Sequence, residues 1–406
     1  LGGVNTPARI PPFSMTAITA LSVTVALTVM NMTLIVPVIP DFADEFEVSL
    51  AAAAALVSVF AAGRLLFRFW GGLGADRYGA RRVSVVATLV IAGGAVVAAV
   101  SPAFWLLLSA RVVQGVGVAA LGVAANQYLL RITPREVLGR ATGVLQTGIV
   151  AGAAVGPFVG GVLADLGDLR TPFWAQAVIA VALVPVILVV VHDDEAEAHT
   201  IRESLRLAVT LVRRPVFVGV MALGFSLFFL RAGARNALLP AYADEVGGLS
   251  ATAIGAVVSA SSLTSVAAML PTGRLVDRVG RKPVTLAGVV LVAGSVALYG
   301  TTSSLWGLLG VSGLAGLTVG LASVPLPTMV GDLAPEGSEG IAAGVFRMAN
   351  DLGWIVGPLL LGAMADAALW GWGFVVAGVP LLVAGALFLL APETRATQSS
   401  RLDPDI

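Results

Sequence analysis

The chain has 406 residues, 57% apolar and 12% charged, with a mean hydropathy of +0.94. A soluble domain carries roughly twice that share of charge, so the surplus apolar surface is expected to face lipid. Twenty-four basic residues balance twenty-four acidic ones, which excludes a global field for nucleic acid. The lack of cysteine excludes disulfides, thiol nucleophiles and cysteine metal sites.

Residues 1–15 hold Pro7, Pro11 and Pro12 with one charge, Arg9. No small-residue cleavage site follows the first apolar run, so that run reads as a retained span and not as a signal peptide. A span needs about 20 apolar residues, and stretches of that size recur at 10–40, 50–72, 83–101, 104–130, 140–164 and 172–191. They return at 216–240, 251–273, 283–301, 305–330, 341–365 and 370–391. The expectation is an all-α integral membrane protein of twelve transmembrane helices in two six-helix bundles. Residues 1–191 form the first bundle, 192–214 a linker, and 215–406 the second bundle with a short tail.

The linker opens on the acidic run Asp193-Asp194-Glu195. It then places Leu205, Ala208 and Val212 on one helical face, with Arg202, Arg206 and Arg213 elsewhere. That pattern fits a short helix lying on the membrane surface; a plain polar connection fits as well. The two histidines, His192 and His199, both fall in this segment and read as solvated residues rather than metal ligands, so no metal and no cofactor is expected.

Arginine and lysine set the orientation, because cytoplasmic loops retain them. With the N-terminus inside, inner segments hold seventeen basic residues, among them Arg81, Arg82, Arg131, Arg140, Arg274, Arg278, Arg281 and Lys282, while outer loops hold Arg170 alone. Both termini are expected to be cytoplasmic. Lys282 is the single lysine, a bias of GC-rich prokaryotic genomes, which places the chain in a prokaryotic plasma membrane.

The two halves match at an offset of 201. Asp76-Arg77 pairs with Asp277-Arg278, Gly79 with Gly280, and Gly115 with Gly316. Gly152, Gly156 and Pro157 pair with Gly353, Gly357 and Pro358, and Asp165 with Asp366. Near the first span of each half the offset is 200, as in Pro40 with Pro240. Six-span repeats of one orientation put a substrate site between the halves, near the midplane.

Gly273-Arg274-Leu275-Val276-Asp277-Arg278-Val279-Gly280-Arg281-Lys282 resembles the loop signature of the major facilitator superfamily, with Gly72 to Arg82 as its first-half copy. Gly74 and Ala80 depart from that pattern in the copy. Gly152-x-x-x-Gly156-Pro157-x-x-Gly160-Gly161 resembles the helix 5 motif of proton-coupled drug antiporters. Pro37-x-x-Pro40 and Arg111-x-x-Gln114-Gly115-x-Gly117 resemble the same twelve-span branch. The resemblance implies that helix 5 packs on helix 8 and helix 11 on helix 2, as seams that slide during transport. It makes Gly72, Asp76, Arg77, Gly79, Gly152, Gly156, Pro157, Gly160, Gly273, Asp277, Arg278, Gly280, Arg281, Gly357 and Pro358 the candidate gating residues. Asp76 and Asp277 are expected to cap helices 11 and 5 at the cytoplasmic side. Many members of that branch carry an acidic residue in the first span; here 10–40 holds none, only Asn31.

Charges inside spans are costly and default to functional candidates. Arg64 and Arg68 interrupt the second span, Arg231 and Arg235 lie one turn apart in the seventh, and Arg347 and Asp351 one turn apart in the eleventh. Asp351 is the only carboxylate well inside a span. With Arg347 as its expected partner, and with Arg111 by family resemblance, it makes the candidate proton-coupling set. Candidate substrate contacts are Asn31, Arg64, Gln114, Gln146, Phe228, Arg231, Arg235, Asn350 and Trp354.

The expected function is proton-coupled efflux of small amphipathic or drug-like compounds by alternating access, in a chain working as a monomer. The partners are a small-molecule substrate, protons and the lipid bilayer. A metabolite uptake symporter and a lipid or glycolipid flippase are the alternatives on the same fold. An intramembrane enzyme lacks support, because no span holds His or Cys and no paired carboxylates occur.

Overall fold

The computed structural model describes residues 15–134, 137–192, 201–335 and 338–390; the side chains at 15–16, 69–78, 138–139 and 201–205 lie outside that description. Within it, twelve helices are long and apolar enough to cross a membrane. In the first half they are α1 (Met15–Thr33, continued by Val36–Val38 and Ile39–Glu45), α2 (Leu50–Tyr78), α3 (Ala80–Ala99), α4 (Phe104–Ile132), α5 (Leu138–Leu166) and α6 (Thr171–Val190). In the second half they are α7 (Pro215–Leu230, continued by Arg231–Leu238 and Leu239–Glu245), α8 (Ala251–Val279), α9 (Arg281–Ala297), α10 (Leu305–Ser323, continued by Pro325–Leu333), α11 (Glu339–Asp366) and α12 (Trp370–Leu389).

All twelve expected spans are present, but α2 and α8 run past the expected ends at 72 and 273 to Tyr78 and Val279. Hydropathy registers only the lipid-facing part of a helix, and the charged turns beyond it stay helical in water. Both helices stop at a glycine with positive φ, 80° at Gly79 and 101° at Gly280, where a side chain would be strained. Prolines interrupt α1: Pro37 and Pro40 lack an N–H, and one 3₁₀ turn, Val36–Val38, replaces regular helix there. Its counterpart in α7 is a π-helical stretch, Arg231–Leu238.

The linker carries the helix Ile201–Val212. Its anchor is Leu211, fully buried against Phe217 and the second-half core, while the expected face residue Val212 is 45% exposed. His192 is exposed, with its Nδ1 3.3 Å from the Tyr128 hydroxyl; His199 falls outside the described residues.

Close backbone approach between helices is made at glycines, as expected in lipid. The expected contact of the helix 5 glycine face needs correction. A Cβ at Gly152, Gly156 or Gly160 would strike Ala26, Met30 and Thr33, or Leu34, all on α1 within the same half. Likewise Gly353 and Gly357 lie against Phe225 and Phe229 of α7. The seams between halves use neighbouring positions: Gly161 against Ala251 and Gly255 against Pro157 join α5 to α8, and Gly362 against Ala51 joins α11 to α2. Three glycines four apart define a smooth face but do not say which neighbour it meets.

One face of the molecule carries the basic helix ends; the other holds Asp165 and Asp366. On this second face the Asp366 carboxylate accepts from the N–H groups of Leu50 (2.7 Å) and Ala51 (3.3 Å), and Asp165 from the Thr252 N–H (3.0 Å). Each aspartate thus caps the N-terminus of a helix in the opposite half, where the helix dipole favours an anion. Ser49 and Ser250 cap the same two helices from within. At the arginine-rich face, Gly143, Gly273, Gly340 and Gly344 would meet nothing within 4 Å. The halves are therefore tied together at the arginine-poor face, and glycines of α5, α8 and α11 border open space at the other.

Arg170, the one basic residue expected in an outer loop, lies at the arginine-poor face. It donates to Glu45 (3.2 Å) and to the carbonyls of Ala99 and Ser101, clipping together the ends of α1, α3 and α6. Beside it, the Thr171 hydroxyl and the Arg170 N–H hold the Asp168 carboxyl below the usual carboxylate range.

Candidate functional site

Cationic and aromatic side chains alternate across the junction of the halves. The Arg111 guanidinium of α4 lies 4.4 Å from the Phe60 ring centre, and Arg64 lies 5.5 Å from the same ring and 5.2 Å from Trp354 of α11. The Trp354 ring lies tilted at 6.4 Å from Phe228 of α7, and Arg231 lies 5.6 Å from Phe228. Spacings near 6 Å let each ring face attract a guanidinium. The run crosses from the first half to the second, through Arg111 of the expected proton-coupling set, four residues predicted as substrate contacts (Arg64, Trp354, Phe228 and Arg231), and Phe60, which sequence reasoning passed over as one aromatic in an apolar run.

Asp351 hangs beside this run, 2% exposed. Its carboxylate pairs with Arg64 Nη2 at 2.7 Å and with Arg68 Nη1. Arg68 also donates to the Arg347 carbonyl at 3.1 Å. The expected partner was Arg347, one turn away on the same helix. That expectation is corrected: among the described residues no ion pair joins Arg347 to Asp351, and both pairing arginines come from α2 in the other half. Helical spacing brings Arg347 onto the same face as Asp351, but α2 packs along α11 and delivers two guanidiniums end-on. Arg68, noted in the sequence only as a charge interrupting the second span, is part of the site.

In the first half, Arg111 donates to the Gln114 side-chain oxygen (2.6 Å) and to the Leu56 carbonyl (3.4 Å). Gln114 donates to the Gln176 side chain (3.0 Å), and Asn31 to the Gln176 carbonyl (3.1 Å). All four residues are buried. Gln176 was missed, although a lone amide in the apolar run 172–191 was the signal for it. In the second half, Arg235 donates to Asn236 (3.1 Å) and Ser262 (3.0 Å). Asn350 is buried with its Oδ1 lacking a hydrogen-bond partner. Gln146 is exposed and joins none of these contacts.

Of the gating residues, Gly72, Asp76 and Arg77 have side chains outside the described residues. Asp277 and Arg278 are exposed at the end of α8, and Arg281 pairs with Asp332 of α10. The cap expected of Asp76 lies outside the described residues, and at the other face the halves are capped across by Asp165 and Asp366. Their match at the repeat offset was visible in the sequence; their role was not. Among the described residues, no cluster of three or more His, Cys, Asp or Glu could hold a metal.

Twelve spans in two repeated bundles, with a buried polar junction between them, define a polytopic membrane carrier. The family model of the Major Facilitator Superfamily matches residues 21–250 and 221–404. The chain belongs to that superfamily, and it is a transporter rather than an enzyme. It is 24% identical over 376 residues to Multidrug resistance protein 2 of Bacillus subtilis (strain 168), covering 89% of this chain and 92% of the relative. It is 26% identical over 391 residues to the class C tetracycline resistance protein of Escherichia coli, covering 93% and 96%. Among solved structures, a bacterial homolog of the human lysosomal transporter Spinster, inward-facing and unoccupied, matches with a TM-score of 0.79 at 16% identity, covering 97% and 99%. That likeness is one of fold.

Proposed function

We propose that the chain exports small amphipathic compounds in exchange for protons, with its arginine-rich face in the cytoplasm of a prokaryotic cell. The observation that carries this reading is the shared ion pair of Asp351 with Arg64 and Arg68. Asp351 is, among the described residues, the one carboxylate deep in a span, about 18 Å from the start of α11 at 1.5 Å per residue, and it ties one half to the other. A proton on Asp351 removes its charge and weakens both pairs, freeing α11 from α2; loss of the proton re-forms them. A titratable group on the surface that must part is what coupling by alternating access requires. The names of the relatives above, multidrug and tetracycline resistance, favour export of drug-like molecules over uptake. Purified protein in liposomes with an internal pH indicator tests this: drug-like substrates added on the arginine-rich side are expected to drive proton movement in the opposite direction. Substrate flux with no proton flux would remove the coupling.

The orientation has its own check. The chain lacks cysteine, so Glu339→Cys and Ala367→Cys place single thiols at exposed positions near opposite ends of α11. In intact cells an impermeant maleimide is expected to label position 367 and not 339. The reverse pattern overturns the placement of the arginine-rich face in the cytoplasm.

A further inference from the structure

The membrane interior is lopsided in charge. Six arginines, Arg64, Arg68, Arg111, Arg231, Arg235 and Arg347, interrupt the apolar runs away from the helix ends, against one carboxylate at such depth, Asp351. It is taken by Arg64 and Arg68. Among the described residues, no carboxylate pairs with Arg231 or Arg235. A guanidinium cannot shed its proton to escape burial, so uncompensated charge there is expensive. A fold that keeps such a pair needs a counter-charge from outside the chain.

Both arginines sit on the π-helical stretch of α7, an irregularity that recurs at functional sites. Together with Ser261, Ser265, Tyr299 and Leu230 they line a small cavity among α7, α8, α9 and α10. Arg231 Nε is buried without a hydrogen-bond partner. Arg235 spends two donors on Asn236 and Ser262 out of the five a guanidinium carries. The remaining N–H groups, with the serine hydroxyls, form a donor-rich seat with no fixed acceptor charge. The first half differs: Arg111 is sealed by Gln114 and Leu56, beside the amide of Gln176.

We propose that the transported molecules are amphipathic anions, and that Arg231 and Arg235 seat the anionic group while Phe228 and Trp354 take the apolar body. A carboxylate, sulfonate or phosphate monoester accepts two parallel N–H bonds from one guanidinium. This rests on the transport reading above and names the substrate's charge. Phe228, between Arg231 and Trp354, links the seat to the junction of the halves.

Three matched probes test it: 2-naphthalenesulfonate, 2-naphthalenesulfonamide and trimethyl(2-naphthyl)ammonium, identical in their apolar body. Equilibrium binding to the purified wild-type protein is expected to favour the sulfonate about tenfold or more over the sulfonamide, the range of hydrogen bonds to charged groups, with the ammonium compound weakest. Arg231→Gln and Arg235→Gln should each erase that preference, and Arg231→Lys should keep part of it. If either glutamine variant fails to fold, the wild-type series and the other variant still decide. A wild-type protein that prefers the neutral or cationic probe, or binds none, overturns the proposal; so does a sulfonate preference that survives in both glutamine variants. Binding is read without transport, so the two readings fail separately. Sulfonate preference without counterflow in liposomes removes the transport reading alone. Counterflow of the ammonium probe without sulfonate preference removes the anion seat alone.

Discussion

Reconstituted Asp351→Asn protein is expected to exchange substrate across the membrane yet fail to accumulate it when a pH difference is imposed. Asparagine cannot carry the charge that holds Arg64 and Arg68, and it has no proton to give up. Exchange needs only that the two orientations interconvert with substrate bound, which the neutral side chain permits. The same change leaves two guanidiniums facing each other at a buried site, and removing one partner of a buried pair costs about 3–5 kcal/mol. A lower thermal midpoint in detergent should therefore accompany the loss of coupling. Adding Arg64→Gln removes one of the stranded charges and should recover much of that stability without restoring accumulation. Stability and coupling are thus separated in one double-mutant cycle. If Asp351→Asn accumulates substrate with the wild-type pH dependence, the proton is carried elsewhere. Asp41, in the first turn of the Ile39–Glu45 segment, is then the next group to replace.

The spans were legible because each is an uncharged run that water would reject, and the repeat because Gly, Pro and Asp recur at one offset. The helix ends were not, since Phe69 to Tyr78 mixes apolar and charged residues that hydropathy averages away. The site was legible as a list and not as a set of pairs. Asp351 announces itself as the deep carboxylate, and Arg64 and Trp354 as odd residues in their spans. Only the packing of α11 along α2 makes Arg64 and Arg68, and not Arg347, its partners. The π-helical stretch at Arg231–Leu238 left no mark in the sequence, because it depends on where the surrounding helices let α7 widen. The glycine face of α5 shows the same gap between pattern and placement: the spacing gives a smooth stripe, and the stripe turns out to meet α1.

That placement separates two adjacent glycines of α5 that look alike in sequence. A side chain at Gly160 would strike the Leu34 carbonyl of α1, a contact inside one half that persists whichever way the carrier faces. A side chain at Gly161 would strike the Ala251 carbonyl and the Thr252 backbone at the start of α8. That contact crosses between the halves, beside the cap that Asp165 gives Thr252, and it must break if the arginine-poor face is to open. Overpacking costs about 1–3 kcal/mol. At Gly160 that cost falls on folding, so Gly160→Ala should lower thermal stability and leave the conformational balance alone. At Gly161 it falls only on the state in which α5 and α8 touch, and about 1–3 kcal/mol there moves a two-state balance by roughly 5- to 150-fold. Spin labels at Leu166→Cys and Val246→Cys, both exposed near the arginine-poor face, report the outcome as a distance distribution. Gly161→Val is expected to enrich the longer distance and to slow transport by stranding the carrier with that face open, with the thermal midpoint little changed. A destabilised Gly161→Val protein whose label distance is unmoved would mean that α5 and α8 are permanently joined there, and the halves would have to part along some other surface.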